Sequence, residues 1–175
     1  MPGRPAAFLD RDGTLIDDMG FVSSRSDVSL LPTVADALRT FAGAGYACVV
    51  VTNQSGVARG YFDEAAVHAI NAEIVARLDA DDVKVDAFYY CPHYAAGCDC
   101  RKPEAGMIRR AAREHALDIA RSAVIGDRGS DIELGQRLGI PGVLVAGPIP
   151  YTGPEPDFRA QTLLEAAQWI VRRGT

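Results

Sequence analysis

Short apolar runs alternate with amphipathic segments along most of the chain. Five runs have the length and composition of buried strands, and they cover 6–10, 46–52, 85–91, 122–127 and 142–146. Five segments repeat hydrophobic residues at helical spacing, and they cover 33–44, 63–78, 103–111, 130–139 and 162–172. Asp63 and Ser130 are expected helix N-caps, and Pro103 suits a first turn. Because strands and helices alternate, the pattern predicts an α/β fold with a doubly wound parallel sheet.

The composition is that of a globular domain and narrows the possible partners. With 175 residues, 48% of them hydrophobic, the chain predicts one domain over residues 1–175. A net charge of −5 without a basic run disfavours nucleic acid and anionic membranes as partners. The apolar runs are far shorter than the roughly 20 residues of a membrane span, and no signal region opens the chain. We therefore expect a monomer located in the cytoplasm.

Two carboxylates follow the first predicted strand, in the segment Phe8-Leu-Asp10-Arg-Asp12-Gly-Thr14. Alternate residues of a strand point to the same side, so Asp10 and Asp12 should lie together. Neighbouring carboxylates repel each other unless a cation or a shared proton lies between them, which favours a Mg²⁺ site. One of the two could also act as a nucleophile. The alternative is an ordinary Asp-Gly turn with solvated acids.

Three further polar clusters lie at strand or helix ends. Hydroxyl and amide donors follow the second strand, two cations precede the third helix, and two acids follow the fourth strand. The donors could bind phosphate oxygens, and the cations could neutralise phosphate charge. Each cluster alone also fits an ordinary loop, a solvated surface or a helix end. The residues concerned are Thr52, Asn53, Gln54, Ser55, Arg101, Lys102, Asp127 and Asp131.

Three cysteines and one histidine crowd into ten residues before the third predicted helix. In ligand type and number they match a Cys₃His zinc site, and the fourth cysteine, Cys48, lies alone in a strand. Four protein ligands leave no open position for water, which predicts a structural zinc that shapes a loop. That loop should position Arg101 and Lys102. The predicted ligands are Cys91, His93, Cys98 and Cys100.

The order and placement of these motifs resemble those of the haloacid-dehalogenase-like (HAD) phosphohydrolases, over residues 6–146. The resemblance implies a doubly wound sheet with the motifs at strand ends. It implies that Asp10 is the nucleophile that takes up the phosphoryl group, that Asp12 is the general acid and base, and that Thr52 and Lys102 bind phosphoryl oxygens. The chain has no insertion long enough for a large cap domain. The implied Mg²⁺ ligands are the side chains of Asp10 and Asp127 and the backbone carbonyl of Asp12. Asp131 would orient the groups that surround the metal.

Within the family the zinc segment resembles two groups, the D,D-heptose 1,7-bisphosphate phosphatases and the histidinol-phosphate phosphatases. Residues 18–21 and 52–62 favour the heptose group, in which Arg59 would meet a second phosphate. The short zinc loop and residues 125–131 also resemble the histidinol group, and an arginine stands at 128 where the heptose group would have lysine. The implied substrate contacts are Asp18, Met19, Gly20, Phe21, Asn53, Gln54, Ser55, Arg59, Arg101 and Arg128.

The resemblance predicts a Mg²⁺-dependent phosphatase that acts on a small phosphorylated sugar and removes the 7-phosphate of a heptose 1,7-bisphosphate. Hydrolysis of histidinol phosphate is the alternative. A third hypothesis is a zinc-stabilised binding module without catalysis, against which the presence of both Asp10 and Asp12 argues.

Overall fold

A six-stranded parallel sheet forms the centre of the computed structural model, which describes residues 3–95 and 97–174. The strands lie in the order β3-β2-β1-β4-β5-β6. The five strands predicted from the sequence are present, and a sixth follows them. The bounds are β1 (Ala6–Leu9), β2 (Ala47–Asn53), β3 (Ala87–Cys91), β4 (Ala123–Gly126), β5 (Gly142–Val145) and β6 (Phe158–Ala160).

Helices cover both faces of the sheet, as the predicted doubly wound fold requires. Their bounds are α1 (Val34–Gly43), α2 (Glu64–Asp79), α3 (Gly106–His115), α4 (Gly129–Leu138) and α5 (Leu163–Gly174). The core on one face joins α1, α2 and α5, and the core on the other face joins α3 and α4. Alternate residues of β1 enter the two cores: Leu9 packs in the first and Phe8 in the second.

Three details of the predicted elements were wrong. β6 was missed because three residues with an arginine in the middle are too few to show a period. Ser130 is not an N-cap: Arg128 occupies that position, and Ser130 lies inside the first turn of α4. Pro103 precedes α3, which begins only at Gly106 because residues 101–105 form a turn. The Asp63 cap is confirmed, since its carboxylate accepts a hydrogen bond from the Ala66 backbone at 2.9 Å.

The topology places a crevice at the carboxyl end of β1. β1 lies between β2 and β4, and the connections that leave its two sides run in opposite directions across the sheet. Such a switch point is where open α/β sheets bind ligands. Within the described residues, no helix is both long and apolar enough to span a membrane.

Candidate active site

A cavity of about 590 Å³ opens at the carboxyl ends of β1 and β2 and the beginning of α4. It gathers most of the residues that the sequence singled out from distant parts of the chain. Residues 152–154 and the side of α4 complete the wall, and no motif in the sequence marked them. The lining residues are Asp10, Asp12, Asp18, Gly20, Phe21, Val22, Thr52, Asn53, Gln54, Ser55, Arg101, Lys102, Arg128, Gly129, Ser130, Glu133, Thr152, Gly153 and Pro154.

The carboxylate of Asp10 is held by a buried lysine. Lys102 Nζ lies 2.9 Å from Asp10 Oδ1 and 2.6 Å from Asp131 Oδ1. Asp10 Oδ1 also accepts a hydrogen bond from the Arg11 backbone at 2.8 Å. Burial alone would lower the pKa of Lys102, but the charges of Asp10 and Asp131 outweigh it and raise that pKa. Lys102 is therefore a fixed cation beside the predicted nucleophile.

Asp12 lines the same cavity, although strand alternation does not place it there. β1 ends at Leu9, and a turn closed by hydrogen bonds from Leu15 and Ile16 to the Arg11 carbonyl carries Asp12 to the cavity. Burial raises the pKa of the Asp12 carboxyl, the charge of Asp10 raises it further, and Arg11 opposes both. A carboxyl group that keeps its proton more readily than usual suits a general acid.

Gln54 and Asn53 are engaged with other residues of the site. Gln54 Nε2 donates to Asp12 Oδ2 at 2.8 Å and to Thr52 Oγ1 at 2.9 Å. Because Thr52 accepts this bond, its own hydroxyl proton remains available for a phosphoryl oxygen. Asn53 exchanges two hydrogen bonds with the backbone of Lys102, at 2.9 and 3.2 Å. Both amides therefore orient the residues that the sequence assigned to phosphoryl binding.

Asp127 has the environment of a metal ligand. Both of its carboxylate oxygens are buried and have no hydrogen-bond partner in the part of the chain that the structure describes. Arg128 Nε approaches Oδ2 at 3.3 Å without hydrogen-bond geometry. Carboxylate oxygens of Asp10, Asp127 and Asp131 lie within 4.8 Å of one another. Those of Asp131 are bound by Lys102 and the Arg128 backbone, so Asp10 and Asp127 offer the better Mg²⁺ ligands.

Glycines make room for these acids. A Cβ atom on Gly13 would lie 2.3 Å from Asp127 Oδ2, and one on Gly147 would lie 2.6 Å from the same oxygen. Gly13 also has a φ of +82°, which disfavours any side chain. Gly13 belongs to a recognisable Asp-Gly turn, whereas nothing in the sequence marks Gly147. The carboxylate of Asp127 is thus enclosed by backbone that cannot carry side chains.

The pKa of Asp127 predicts how metal and pH act on stability. Burial, followed by the charge of Asp10, raises this pKa from 3.8 to about 7. Between those values the metal-free folded state holds a proton that the unfolded state has lost, so the stability contributed by this group falls as pH rises through the window. At about pH 8 we expect metal-free Asp127→Asn to melt several degrees above the wild type, with a smaller gap near pH 5.

Calorimetry with and without Mg²⁺ checks this expectation. Excess Mg²⁺ should raise the melting temperature of the wild type at pH 8 and leave that of Asp127→Asn nearly unchanged, because binding to the folded state alone stabilises it. A metal-free variant that is less stable than the wild type at pH 8, or an equal response of both proteins to Mg²⁺, would contradict the assignment.

Asp18 and Arg128 form an ion pair across the cavity. Asp18 Oδ2 accepts a hydrogen bond from Arg128, and Asp18 Oδ1 accepts one from the Gly20 backbone at 2.9 Å. The loop that carries Gly20 and Phe21 is thereby tied to the beginning of α4. Arg128, which the sequence assigned to substrate binding, is thus already paired with a carboxylate.

Arg59 and Met19 are the predicted substrate contacts that the cavity lining does not include among the described residues. The guanidinium of Arg59 instead lies over three aromatic rings, 5.4 Å from the centroid of Phe21, 5.0 Å from Tyr61 and 4.5 Å from Tyr94. These cation–π contacts join three loops at the rim of the cavity. Arg101, by contrast, lines the cavity itself.

The four predicted zinc ligands come together beside the active site. Cys91 Sγ lies 3.2 Å from Cys100 Sγ and 3.7 Å from Cys98 Sγ, and His93 Nδ1 lies 3.3 Å from Cys100 Sγ. Such separations suit a tetrahedral ion with metal–ligand distances of about 2.0–2.3 Å. Burial raises the pKa of the Cys91 and Cys100 thiols, so a bound cation would be needed to keep both as thiolates. The donor set therefore fits zinc.

The loop that carries the zinc ligands, residues 91–100, is attached to Arg101 and Lys102, the two cations predicted to bind phosphate. Arg101 Nη1 donates to the His93 carbonyl at 2.9 Å, and Lys102 follows Cys100 by two residues. The position of both cations thus depends on the conformation of the loop.

Comparison with known proteins decides the family. The model of a family described as HAD-hydrolase-like matches residues 99–166. The D-glycero-D-manno-heptose-1,7-bisphosphate 7-phosphatase of Thermosynechococcus vestitus is 37% identical over 188 aligned positions, which cover 95% of this chain and 95% of the relative. The chain belongs to the HAD-like phosphatases. The predicted family and the predicted enzyme class, a phosphoric monoester hydrolase, are both confirmed.

Further relatives of this phosphatase agree. The D-glycero-beta-D-manno-heptose-1,7-bisphosphate 7-phosphatase of Escherichia coli K12 is 38% identical, with 95% of this chain and 88% of the relative covered. The crystal structure of the D,D-heptose 1,7-bisphosphate phosphatase of B. bronchiseptica, complexed with magnesium and phosphate, matches with a TM-score of 0.83 and 32% identity. The match covers 96% of this chain and 99% of that one. The fold is therefore that of a HAD-like phosphatase along nearly its whole length.

Proposed function

We propose that this phosphatase hydrolyses the 7-phosphate of D-glycero-D-manno-heptose 1,7-bisphosphate with Mg²⁺, through a phosphoryl group carried on Asp10. One observation carries the chemistry: the Asp10 carboxylate is held by the buried Lys102 at 2.9 Å, beside an Asp127 whose buried oxygens lack hydrogen bonds. The names of the relatives support the choice of substrate over histidinol phosphate. Cytoplasmic location, a monomeric state and a single domain stay predictions from the sequence.

The residues of the site would bind the phosphoryl group before reaction. Asp10, Asp127 and the Asp12 carbonyl would hold Mg²⁺, which when bound offsets the repulsion between an anionic nucleophile and an anionic substrate. Lys102 is buried and protonated, so its charge would act on phosphoryl oxygens with little screening. The Thr52 hydroxyl would donate to another of these oxygens. The substrate phosphate thus meets fixed donors rather than mobile water.

The reaction would then proceed in two displacements. An Asp10 oxygen attacks phosphorus and forms a new P–O bond, the bond from phosphorus to the sugar oxygen breaks, and Asp12 gives its proton to that oxygen. In the second displacement Asp12 takes a proton from water as the water oxygen attacks phosphorus, and the bond to Asp10 breaks. Free phosphate leaves, and both aspartates return to their starting states.

A second phosphate on the substrate needs a cation that reaches the cavity. Arg101 meets this requirement better than Arg59, because Arg101 lines the cavity, whereas Arg59 does not and its guanidinium is held over aromatic rings. A charge-assisted contact contributes about 1.5–3 kcal/mol, so Arg101→Ala should lower kcat/KM for the bisphosphate by roughly ten- to a hundredfold. Arg59→Ala is the matched control and should lose much less.

Phosphate release tests this assignment on three substrates side by side: the heptose bisphosphate, histidinol phosphate and a simple alkyl monophosphate. The wild type should prefer the bisphosphate, and Arg101→Ala should erase most of that preference while changing the monophosphate rate little. A wild type that prefers histidinol phosphate would overturn the proposed substrate. Equal losses in Arg101→Ala on all three substrates would remove the second-phosphate role of Arg101.

A further inference from the structure

Arg11 is the bulkiest fully buried side chain in the described part of the chain, with 0% of its surface exposed. It stands between Asp10 and Asp12, yet the residues that line the cavity do not include it. A guanidinium group is costly to bury unless its donors are paired. Packing alone therefore does not explain why this charge is buried beside the reacting groups.

The donors of Arg11 meet a catalytic carboxylate and an amide on α2. Nε donates to Asp12 Oδ2 at 3.1 Å, and Nη2 donates to Asp12 Oδ1 at 3.3 Å. Nη1 donates to Oδ1 of Asn71, which is itself only 8% exposed. The planar fork of an arginine that contacts both oxygens fixes the plane of a carboxylate as a lysine cannot. Asn71 in turn fixes the guanidinium.

We propose that Arg11 and Asn71 are positioning residues that hold the Asp12 carboxylate in the orientation required for proton transfer. This inference rests on the proposed role of Asp12 as general acid and base. Asp12 Oδ2 accepts two bonds, from Arg11 at 3.1 Å and Gln54 at 2.8 Å, whereas Oδ1 accepts the longer bond of 3.3 Å. Oδ1 is therefore the oxygen that carries the transferred proton. Through Asn71, helix α2 orients the site without touching substrate.

Substrates with different leaving groups distinguish a role in positioning Asp12 from a purely structural role. An alkoxide needs a proton as it departs, whereas 2,4-dinitrophenolate does not, and kcat/KM reports the steps up to its departure. Asp12→Asn should lower kcat/KM for an alkyl phosphate by about 10²–10⁴ and change that for 2,4-dinitrophenyl phosphate little. Asn71→Ala should follow the same pattern, with a loss of roughly ten- to a hundredfold on the alkyl phosphate and under about threefold on the aryl phosphate.

Two further variants keep the test decisive. Arg11→Lys retains the buried charge but lacks the planar fork, and it should show the pattern predicted for Asn71→Ala. It replaces Asn71→Ala as the test if Asn71→Ala folds poorly. Ile74→Val shortens another buried side chain of α2, one that has no polar atom to bond Arg11 or Asp12, and should give small, equal changes on both substrates. In Asn71→Ala, kcat on the aryl phosphate should also fall more than kcat/KM, because water attack in the second displacement needs Asp12 as a base.

The outcomes distinguish failure of the positioning role of Arg11 and Asn71 from failure of the general acid and base role of Asp12. Equal losses on both substrates in Asn71→Ala and Arg11→Lys, or no loss on either, would overturn the positioning role while Asp12→Asn still shows leaving-group dependence. If Asp12→Asn shows no such dependence, the general-acid role fails, and the positioning role fails with it. Because both test substrates are generic monophosphates, the result does not depend on which sugar phosphate the enzyme prefers.

Discussion

Replacing Asp10 by asparagine is expected to lower turnover more than a thousandfold, which corresponds to a rise of about 4 kcal/mol in activation free energy. A neutral amide neither attacks phosphorus nor balances the charge of Mg²⁺ as a carboxylate does. Lys102 would keep Asp131 as its partner at 2.6 Å, so the variant should not leave an isolated buried cation. The fold should therefore survive the substitution.

Steady-state phosphate release measures the loss of turnover, and a melting curve followed by circular dichroism measures whether the fold survives. The variant should show a wild-type circular dichroism spectrum with turnover near background. Treatment of the wild type with EDTA should likewise abolish turnover, and added Mg²⁺ should restore it. Turnover within tenfold of the wild type in folded Asp10→Asn would exclude Asp10 as the nucleophile.

Loss of the zinc site is expected to lower both stability and activity. Cys98→Ser should release the metal, lower the melting temperature by about 10 °C or more and reduce kcat/KM at least roughly a hundredfold. The cause is the bond from Arg101 to the His93 carbonyl and the short link from Cys100 to Lys102, which make both cations depend on the loop. Lys102 must reach Asp10 for the site to work.

Elemental analysis of protein purified without added metal measures the zinc content directly. One zinc per chain is expected in the wild type and none in Cys98→Ser. Cys48→Ala is the matched control, because Cys48 is buried in β2 away from the four ligands, and this variant should keep its zinc and its activity. Wild-type activity in a zinc-free Cys98→Ser protein would show that the cluster does not position the cations.

The sequence predicted those parts of the molecule that depend on local pattern. Apolar runs followed by Asp10, Thr52 and Asp127 indicated strands that end at one edge of a parallel sheet. The structure brings Asp10 and Thr52 to one crevice and places carboxylate oxygens of Asp10 and Asp127 within 4.8 Å of each other. The zinc ligands lie within ten residues, so their spacing alone indicated the site. In both cases the signal is carried by neighbouring residues in the chain.

The parts that could not be predicted depend on contacts between distant segments. Arg59 was assigned to a second phosphate by its motif, but three aromatic rings from separate loops hold it at the rim. Asn71 is sixty positions from Arg11, and no local pattern marks an asparagine on the buried face of a helix as part of a catalytic site. β6 is too short to show a period. Each of these features is fixed by packing in three dimensions.

The regiochemistry of hydrolysis tests the central claim most directly. Phosphorus-31 NMR of D-glycero-D-manno-heptose 1,7-bisphosphate, incubated with the enzyme and Mg²⁺, resolves the anomeric phosphate from the primary 7-phosphate. The resonance of the 7-phosphate should disappear first and be replaced by inorganic phosphate, while the anomeric phosphate remains. Loss of the anomeric phosphate first, or an unchanged spectrum under conditions where histidinol phosphate is consumed, would contradict the proposed function.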